Sequence, residues 1–420
     1  MPLLHRVKSH VAKQVMTRLN YEKMMPQLIS GPGSVKQVGA VAKRLGIQKV
    51  LVVTDEVLVK LGVVDGCLSS LKDSGIEYVL YDKVLPDPKI QQVLEGSELY
   101  TSSKCNGIVA IGGGSSIDCA KVIGAHVVDP KPLEQFAGIF KVRKKLPPFI
   151  AIPTTHGTGS EVTFAAVISS DTRKFLCNDF KLIPKVSILD PQVVMGLPPP
   201  ITAAVSMDAL THALEAYLSP WSTEYSAAKC RKAIYEILTH LPACYHNGKT
   251  DIQAREALMK ASFDAGIGIS CCAVGYVHAI AHNIGFRYKV PHGVGNAMVL
   301  PYVLEFYGAA AHEKLAGLAV DLGISSADTD VAVSAQKLIT YIKDMQKDMD
   351  MPAIVEKLDE AAIPDLAKAA LAEAHGELHS MVFNFSEFVQ DGGYPTIKYM
   401  SHTDCESLLR KLVPGPSSRL

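Results

Sequence analysis

The stretch Gly107-Ile-Val-Ala-Ile-Gly-Gly-Gly-Ser-Ser-Ile-Asp118 runs from apolar residues through three glycines into a segment with helical spacing. Its apolar part, 107–111, is typical of a parallel strand that is covered on both faces. Glycines at such a turn let a phosphate group approach the backbone, and the following helix offers free N–H donors at its positive end. Many tight turns bind nothing, and this one departs from the Gly-x-Gly-x-x-Gly pattern. The stretch therefore predicts a strand, a turn and a helix, with a candidate phosphate site at the turn.

The same alternation of strands and helices extends on both sides of this stretch, from residue 25 to about residue 200. Such alternation predicts a parallel, doubly wound sheet. A hairpin is predicted over 164–178. Strands are predicted at 49–55, 77–81, 107–111, 149–152 and 186–189, and helices at 34–45, 57–73, 89–104 and 115–127.

The pattern changes at Pro198-Pro199-Pro200, after which helical segments with glycine and proline punctuation follow and no convincing strand is found. The sequence predicts an α/β domain followed by an all-α domain. The predicted ranges are an N-terminal extension (1–24), the α/β domain (25–200), the helical domain (201–413) and an exposed tail (414–420).

Composition excludes several classes of protein. A chain of 420 residues with 48% hydrophobic and 20% charged residues is typical of a globular protein with more than one domain. Lys+Arg and Asp+Glu are equal at 42 each, so nothing indicates binding to nucleic acid or to an anionic membrane surface. No uncharged apolar run reaches the length of a membrane span. The 9 scattered cysteines, without a Cys-x-x-Cys pair, favour a reducing compartment.

A second polar turn, Pro153-Thr-Thr-His-Gly-Thr-Gly-Ser160, follows another predicted strand. Ligands of open α/β sheets bind beyond the carboxyl ends of the strands, where both turns should lie. Two such turns at one edge of the sheet predict a nucleotide site.

Candidate metal ligands occur in the helical domain. In the stretch 207–217, Asp208 and His212 are four residues apart and therefore share one face of a predicted helix. Alone, such a pair is more often a hydrogen-bonded cap or a solvated face. The apolar stretch 277–293 adds His278, His282 and His292, which packing does not readily explain, so the two stretches together favour a metal site.

The two ends of the chain carry conflicting address signals. Ser418-Arg419-Leu420 is a conservative match to the Ser-Lys-Leu type of peroxisomal signal. Residues 1–21 contain Arg and Lys but no acid, as in a mitochondrial presequence, or in a plain helical extension. The peroxisome, including the glycosome, is the favoured location, with the mitochondrion or cytoplasm as alternatives.

Four motifs in order resemble those of the iron-containing (group III) alcohol dehydrogenases. The resemblance runs from about residue 25 to near the C-terminus. It implies an α/β N-terminal dinucleotide-binding domain, an all-α C-terminal domain and a catalytic metal in the cleft between them. Because family members are usually dimers or larger homo-oligomers, it also implies a homodimer or a higher homo-oligomer. The motifs are Gly-Gly-Gly-Ser-Ser-Ile-Asp (112–118), Ile-Pro-Thr-Thr-x-Gly-Thr-Gly-Ser-Glu-Val-Thr (152–163), Asp-Ala-Leu-Thr-His-Ala-Leu-Glu-Ala-Tyr (208–217) and His-Ala-Ile-Ala-His…Pro-His-Gly (278–293).

The resemblance implies that Asp208, His212, His278 and His292 are the metal ligands. One carboxylate and three imidazoles suit Fe(II), with Zn(II) as the alternative, because affinity alone does not select iron. His282 matches a family residue near the nicotinamide and is the candidate catalytic residue, as a proton relay. Its plainer role is that of a buried histidine bonded to a backbone carbonyl.

The resemblance also implies the cofactor-binding positions. Asp55 matches a carboxylate against the adenosine ribose, which favours NAD because it would repel a 2′-phosphate; NADP is the alternative. Lys174 matches a lysine near the cofactor ribose, and Asp87 stands where several members have Asn, which leaves its contact with adenine open. The other positions belong to the two turns: Gly113, Gly114, Ser115, Asp118, Thr154, Thr155 and Thr158.

The implied reaction is reversible hydride transfer between a small primary alcohol, or its aldehyde, and NAD, with the metal as Lewis acid. Residues 268–274 replace a more usual Phe-x-Asn-Ala-Gly-Leu run, and Ala165 replaces an Asn of some relatives, so the alcohol itself is not implied. A zinc polyol dehydrogenase of the glycerol type, a hydroxyacid–oxoacid transhydrogenase and a dehydroquinate synthase-like lyase remain alternatives. A binding protein without activity is disfavoured by the intact ligand set.

Overall fold

The computed structural model describes residues 19–170, 174–376 and 393–414. Residues 1–18 of the predicted N-terminal signal (1–21) and the whole of Ser418-Arg419-Leu420 lie outside this part of the chain.

A parallel sheet forms the centre of the N-terminal region. Its strand order is β1-β9-β6-β4-β2-β3, and every pair of neighbours is parallel. A smaller sheet, in the order β5-β8-β7, contains the predicted hairpin as the antiparallel pair β7–β8. The strands are β1 Gln27–Ser30, β2 Lys49–Val53, β3 Glu77–Tyr81, β4 Gly107–Gly112, β5 Gly138–Ile139, β6 Phe149–Pro153, β7 Ala165–Ser169, β8 Lys174–Asn178 and β9 Val186–Leu189.

Apolar side chains cover both faces of the large sheet. Val50 and Val52 of β2 belong to one buried cluster, whereas Leu51 and Val53 belong to another. Successive residues of a strand point to opposite faces, so each cluster lies on its own face. This arrangement confirms the predicted doubly wound sheet.

Helices connect these strands. The predicted helix 57–73 is two helices, because Gly62 has a φ of 70° in the left-handed region and ends the first of them. The helices are α1 Tyr21–Met24, α2 Val38–Arg44, α3 Glu56–Lys60, α4 Asp65–Asp73, α5 Ile90–Ser102 and α6 Gly114–Val128, with 3₁₀ turns at Ser34–Gln37, Leu133–Phe136, Phe180–Leu182 and Pro191–Val194.

From Pro199 onward the described residues form helices, as predicted. The first of them begins with Pro199 in its first turn, where the missing N–H costs nothing, and has most of its residues buried. These helices are α7 Pro199–Leu218, α8 Glu224–Asn247, α9 Ile252–Cys272, α10 Tyr276–Tyr288, α11 His292–Tyr307, α12 Ala309–Asp321, α13 Val331–Asp348, α14 Ile363–Ala374 and α15 His402–Arg410, with a 3₁₀ turn at Glu360–Ala362.

The chain divides into two compact units that are not two consecutive ranges. One unit contains Asn20–Leu197 together with Lys249–Ser270, which is most of α9. The other contains Pro198–Gly248 and the described residues from Cys271 onward. The grouping differs from the predicted boundary at 200 because α9 packs on the second polar turn, where an added Cβ on Gly159 would lie 2.7 Å from the Cα of Gly266.

Among the described residues, no single helix is both long and apolar enough to cross a membrane, although α9 and α10 pass that test together as a bent pair.

Candidate metal centre and cofactor turns

Three helices bring the four predicted metal ligands together. Asp208 and His212 lie one turn apart on α7, His278 lies on α10, and His292 is the first residue of α11. One potential ligand atom from each residue lies within 4.8 Å of all the others. Asp208, His212 and His278 are buried, whereas the side chain of His292 is 44% exposed.

A carboxylate oxygen lies at the centre of this group. The Oδ1 atom of Asp208 is 3.2 Å from Nε2 of His292, 3.6 Å from Nε2 of His278 and 3.7 Å from Nε2 of His212. The rings of His212 and His278 are stacked, with centroids 4.7 Å apart. Three imidazole nitrogens therefore face one carboxylate, as in a metal site.

The glycine of the Pro-His-Gly motif permits this approach of the helices. A Cβ on Gly293 would clash with the backbone oxygen of Ala204 on α7. Any larger residue would push α11 away from α7 and carry His292 away from Asp208.

Glu215 binds the ring nitrogen of His278 that lies away from the ligand group. Nδ1 of His278 donates to Oε2 of Glu215 over 2.6 Å, since a carboxylate can only accept. The same carboxylate accepts the backbone N–H groups of Gly275 (2.8 Å) and Val277 (2.7 Å). This partner fixes the tautomer of His278 that leaves the Nε2 lone pair directed at the ligand group.

The charges of the group suit a divalent cation. Burial acts to raise the pKa of Asp208, but the neighbouring histidines hold it well below its usual value, so the carboxylate is ionised. Burial lowers the pKa of His212 to about 4, so it is neutral. Burial also acts to lower the pKa of His278, but Glu215 and Asp208 raise it to about 9. A cation that binds Nε2 of His278 at neutral pH therefore displaces a proton.

The residues fit a bound metal in a further respect. Within the described residues, Oδ1 of Asn296 is a buried side-chain atom without a hydrogen-bond partner. Buried polar atoms are nearly always paired, so an unpaired oxygen beside the ligand group is consistent with a bound cation. One carboxylate and three imidazoles suit Fe(II) or Zn(II).

His282, the predicted catalytic residue, lies beside the ligand group. Its ring stacks on that of His292, with centroids 5.2 Å apart. Its Nδ1 lies 2.7 Å from Oε1 of the buried Glu373, which also accepts from Tyr394 Oη (2.9 Å) and Asn283 Nδ2 (3.0 Å). Burial raises the pKa of Glu373 to about 8. A partner of His282 is thus a carboxyl group whose pKa is raised by burial.

The two predicted cofactor turns lie against each other at the carboxyl edge of the large sheet. They follow the paired strands β4 and β6, in which Gly112 is opposite Pro153. A Cβ on Gly114 would lie 2.8 Å from Cγ2 of Thr158, and one on Gly113 would lie 3.5 Å from Cγ2 of Thr155. Gly114 begins α6, so the unpaired N–H groups at the start of that helix open beside the threonine turn.

Asp118 and Ser115 follow on α6, and Thr154 is buried in the second turn. The carboxylate of Asp118 accepts from the Oγ of Ser160 and from the backbone N–H of Val167 at 2.9 Å. Asp118 therefore joins α6 to the second turn and to β7, and its assignment to the cofactor stays a prediction.

A buried lysine lies beneath the same turn. Nζ of Lys121 donates to the backbone oxygens of Thr163 (2.8 Å) and Ala165 (2.7 Å). Burial lowers the pKa of Lys121 to about 8 and raises that of the nearby Glu161 to about 7. Lys121 therefore stabilises the backbone that leads from the second turn into β7.

The remaining predicted cofactor residues use their side chains within the protein. Oδ1 of Asp55 accepts from the backbone N–H of Leu58 at 3.0 Å and so caps α3 just beyond the end of β2. Asp87, which has a φ of 56°, pairs with Nζ of Lys174 over 2.5 Å. The structure thus brings Asp87 and Lys174 together, and their role toward a cofactor stays a prediction.

Sequence reasoning missed three buried side chains of the metal centre: Glu215, Asn296 and Glu373. A signal for two of them was present. Glu215 is seven residues after Asp208, and Asn296 is four residues after His292, both spacings that return to the same helix face. Nothing near Glu373 in the sequence connects it with His282, which is 91 residues away.

Comparison with known proteins gives a consistent result. The sequence model of the family described as "Iron-containing alcohol dehydrogenase" matches residues 26–191, and that of "Fe-containing alcohol dehydrogenase family, C-terminal" matches residues 202–391. The chain is 38% identical over 351 residues to the 1,3-propanediol dehydrogenase of Citrobacter freundii, which covers 82% of this chain and 90% of that relative. It is 34% identical over 369 residues to the NAD-dependent methanol dehydrogenase of Bacillus methanolicus, covering 87% and 97%. A solved structure of 1,3-propanediol oxidoreductase matches with a TM-score of 0.85 at 34% identity, covering 92% of this chain and 98% of that one.

Proposed function

Because the chain belongs to the iron-containing alcohol dehydrogenase family, an oxidoreductase family acting on CH–OH groups, we propose that it interconverts small primary alcohols or terminal diols and their aldehydes with NAD. The observation that supports this proposal best is the convergence of Asp208, His212, His278 and His292. We further propose Fe(II) as the native metal, with Zn(II) as the alternative.

Each part of the metal centre has a separate task. When bound, a divalent cation supplies Lewis-acid polarisation of the substrate oxygen, and NAD supplies the hydride acceptor. Asp208 and the three histidines hold the cation, and Glu215 orients His278 through its Nδ1–H. The partly exposed His292 marks the side of the ligand group that is open to a ligand.

His282 is the proposed proton relay. It is 14% exposed, stacks on His292 and contacts Glu373, so it lies between the ligand group and a buried carboxyl group. Oxidation of an alcohol releases a proton as well as a hydride, and an imidazole with such a partner can take that proton. In aldehyde reduction the same pair returns it.

NAD is proposed over NADP because of Asp55. Its carboxylate lies at the end of β2 where the family places a group against the adenosine ribose, and a negative charge there repels a 2′-phosphate. A relative named for NAD dependence, the methanol dehydrogenase of Bacillus methanolicus, supports the same choice.

The test is metal analysis combined with NADH formation on protein purified without air. Methanol, 1,3-propanediol, 1,2-propanediol and glycerol are offered with NAD or NADP. We expect about one iron per chain and net NADH from primary alcohols, both removed by a chelator. Zinc with activity confined to vicinal diols would replace this proposal by the polyol reaction. Bound metal without net NADH would replace it by the transhydrogenase or lyase reactions.

Two finer proposals concern the whole protein. A homodimer is proposed from the family's usual assembly, and sedimentation equilibrium tests it. A peroxisomal or glycosomal location is proposed from Ser418-Arg419-Leu420.

A further inference from the structure

Asn296 places its side-chain amide inside the ligand group. It lies on α11, four residues after His292, and its side chain is completely buried. Its Nδ2 atom is 2.8 Å from Oδ1 of Asp208 and 3.2 Å from Nε2 of both His278 and His292. These three atoms are the ones that a metal would bind.

The other end of the same amide has no such partners. Oδ1 of Asn296 is buried and accepts no hydrogen bond from any described residue. Among the described residues, Nδ2 makes hydrogen bonds only to the ligand group. An amide that served packing alone would be expected to pair both of its ends, because an unpaired buried carbonyl is costly.

The two ends of a planar amide suit opposite states of the ligand group. Without a cation, an N–H donor at this position is attractive, because it can donate to Oδ1 of Asp208 and to an imidazole nitrogen that carries no proton. A carbonyl oxygen at the same position would repel these electron-rich atoms, unless a cation lay between them. A half-turn about the Cβ–Cγ bond exchanges Nδ2 and Oδ1 without any movement of α11.

We propose that Asn296 is a fifth residue of the metal centre, whose carbonyl oxygen faces a bound divalent cation and whose amide nitrogen donates to the ligand atoms when no cation is bound. This inference rests on the metal centre of the proposed function. It makes Asn296 a positioning residue that keeps the ligand group assembled in both states.

Cation affinity of the full-length protein tests the proposal. Zn(II) and Co(II) dissociation constants are measured by chelator competition for the unsubstituted protein, Asn296→Ala and Asn296→Asp. Loss of the oxygen in Asn296→Ala should weaken binding by about 10- to 100-fold, the usual effect of removing an outer partner of a metal site. Asn296→Asp keeps an oxygen and adds a negative charge, so it should bind at least as tightly as Asn296. Without cation, Asn296→Asp should have the lowest melting temperature, because two carboxylates then face each other.

Thr211→Val is the matched control. Thr211 is buried on α7 beside His212 and donates to the backbone oxygen of Met207 at 2.8 Å, so the substitution removes a buried hydrogen bond but no contact with a ligand atom. Its cation affinity should equal that of the unsubstituted protein. The visible absorption of bound Co(II), which reports its coordination, should change in Asn296→Ala and stay unchanged in Thr211→Val.

The outcomes separate the two proposals. Unchanged affinity and an unchanged Co(II) spectrum in a folded Asn296→Ala protein would overturn the role of Asn296 while leaving the metal centre intact. If Asn296→Ala does not fold, weaker binding by Asn296→Asp than by the unsubstituted protein overturns it instead. Failure of the unsubstituted protein to bind any cation would overturn the proposed function as well.

Discussion

Glu215 shows how a single residue outside the ligand set decides its geometry. Its carboxylate accepts three hydrogen bonds, from the ring of His278 and from two backbone N–H groups at the start of α10. It therefore fixes both the imidazole and the helix that carries it. Gly275 leaves the necessary room, since a Cβ there would lie 2.9 Å from Oε1 of Glu215.

Glu215→Gln should lower metal affinity about 10- to 100-fold. A glutamine has one acceptor oxygen, so its NH₂ group must face one of the three donors that Glu215 accepts. Affinity is measured by chelator competition with Zn(II). An affinity equal to that of the unsubstituted protein would mean that Glu215 does not orient His278.

His282→Ala should keep its metal but lose about 10²- to 10⁴-fold in kcat, the usual contribution of a positioned acid or base. The control is His240→Ala, which removes a histidine that pairs with Glu236 on the surface of α8 and should leave kcat unchanged. Full activity of His282→Ala across the pH range would exclude a relay through His282.

Glu373→Gln should flatten the pH profile of kcat near pH 8, because burial raises the pKa of Glu373 to about 8.

Glu161 gives a prediction of stability against pH. Burial raises the pKa of Glu161 from its usual 4.5 to about 7, so the folded protein keeps the proton that the unfolded chain loses above pH 4.5. The contribution of Glu161 to the free energy of unfolding is therefore fully present below pH 4.5 and is lost as the pH rises to about 7. At about 1.4 kcal/mol per pKa unit, the loss is roughly 3 kcal/mol.

Glu161→Gln removes this titration. Between pH 4.5 and 7 the unsubstituted protein should lose this part of its free energy of unfolding, whereas Glu161→Gln should not. Urea denaturation at several pH values measures the difference between the two proteins. A difference that stays constant over that interval would show that Glu161 ionises normally.

For single residues, the sequence predicted the metal ligands better than it predicted which side chains contact one another. Spacing on a helix relates Asp208 to His212, and the family motifs supply His278 and His292. The pairing of Asp87 with Lys174 and the enclosure of Asp118 depend on long-range packing. No local pattern specifies such contacts.

Among the elements, α9 and the second turn are held in direct backbone contact by two glycines. Gly159 of the second turn has a φ of 63°, and Gly266 lies inside α9. A Cβ on Gly266 would lie 2.6 Å from Cγ1 of Val162 and 3.0 Å from Cα of Gly159. The backbones therefore touch directly, and α9 supports the turn that faces α6.

Gly266→Ala should destabilise the protein by about 1–3 kcal/mol, because it overpacks this contact, and it should weaken NAD binding by displacing the turn. The matched control is Gly317→Ala in α12, where an added Cβ meets nothing within 4 Å. That substitution should stabilise the protein by about 0.4–1 kcal/mol by reducing the freedom of the unfolded chain. Thermal unfolding and NAD titration measure both effects, and equal shifts in the two variants would show that the glycine contact has no special role.

Element prediction succeeded where the hydrophobic period was strong. β2, β3, β4, β6 and β9 lie at the predicted positions because they are apolar runs between turn residues. β1 was missed because Gln27-Leu-Ile-Ser is short and mixed, as suits a strand at the edge of the sheet, where it pairs with β9. The helix predicted over 57–73 kept its apolar spacing across Gly62, and only the backbone angle there shows the break.

At the scale of the whole molecule, the two proposed addresses make opposite predictions. A fluorescent protein extended by residues 409–420 should enter peroxisomes or glycosomes, and deletion of Leu420 should leave it outside. A fusion of residues 1–24 to the other end of the reporter is the control. Import of that fusion into mitochondria, with no effect of deleting Leu420, would reverse the assignment.

The architecture of the molecule was predictable, since the change from alternating strands to helices near Pro198-Pro199-Pro200 is visible in the sequence. The grouping of α9 was not. Its sequence is helical like that of its neighbours, and only long-range contacts, such as those of Gly266 with Gly159 and of Arg255 with Leu197, assign residues 249–270 to the sheet-containing unit.

The contact between Gly159 and Gly266 also constrains the order in which the two units can fold during synthesis. Domains generally fold as units, with the N-terminal one first, while the ribosome is still adding residues. Here the sheet-containing unit starts at residue 20 but lacks α9 until residue 270 has been added, after residues 198–248 of the other unit. The nascent chain must therefore hold its second turn without Gly266 for that interval. The sheet-containing unit therefore cannot be completed until residues 198–248 of the other unit have emerged from the ribosome.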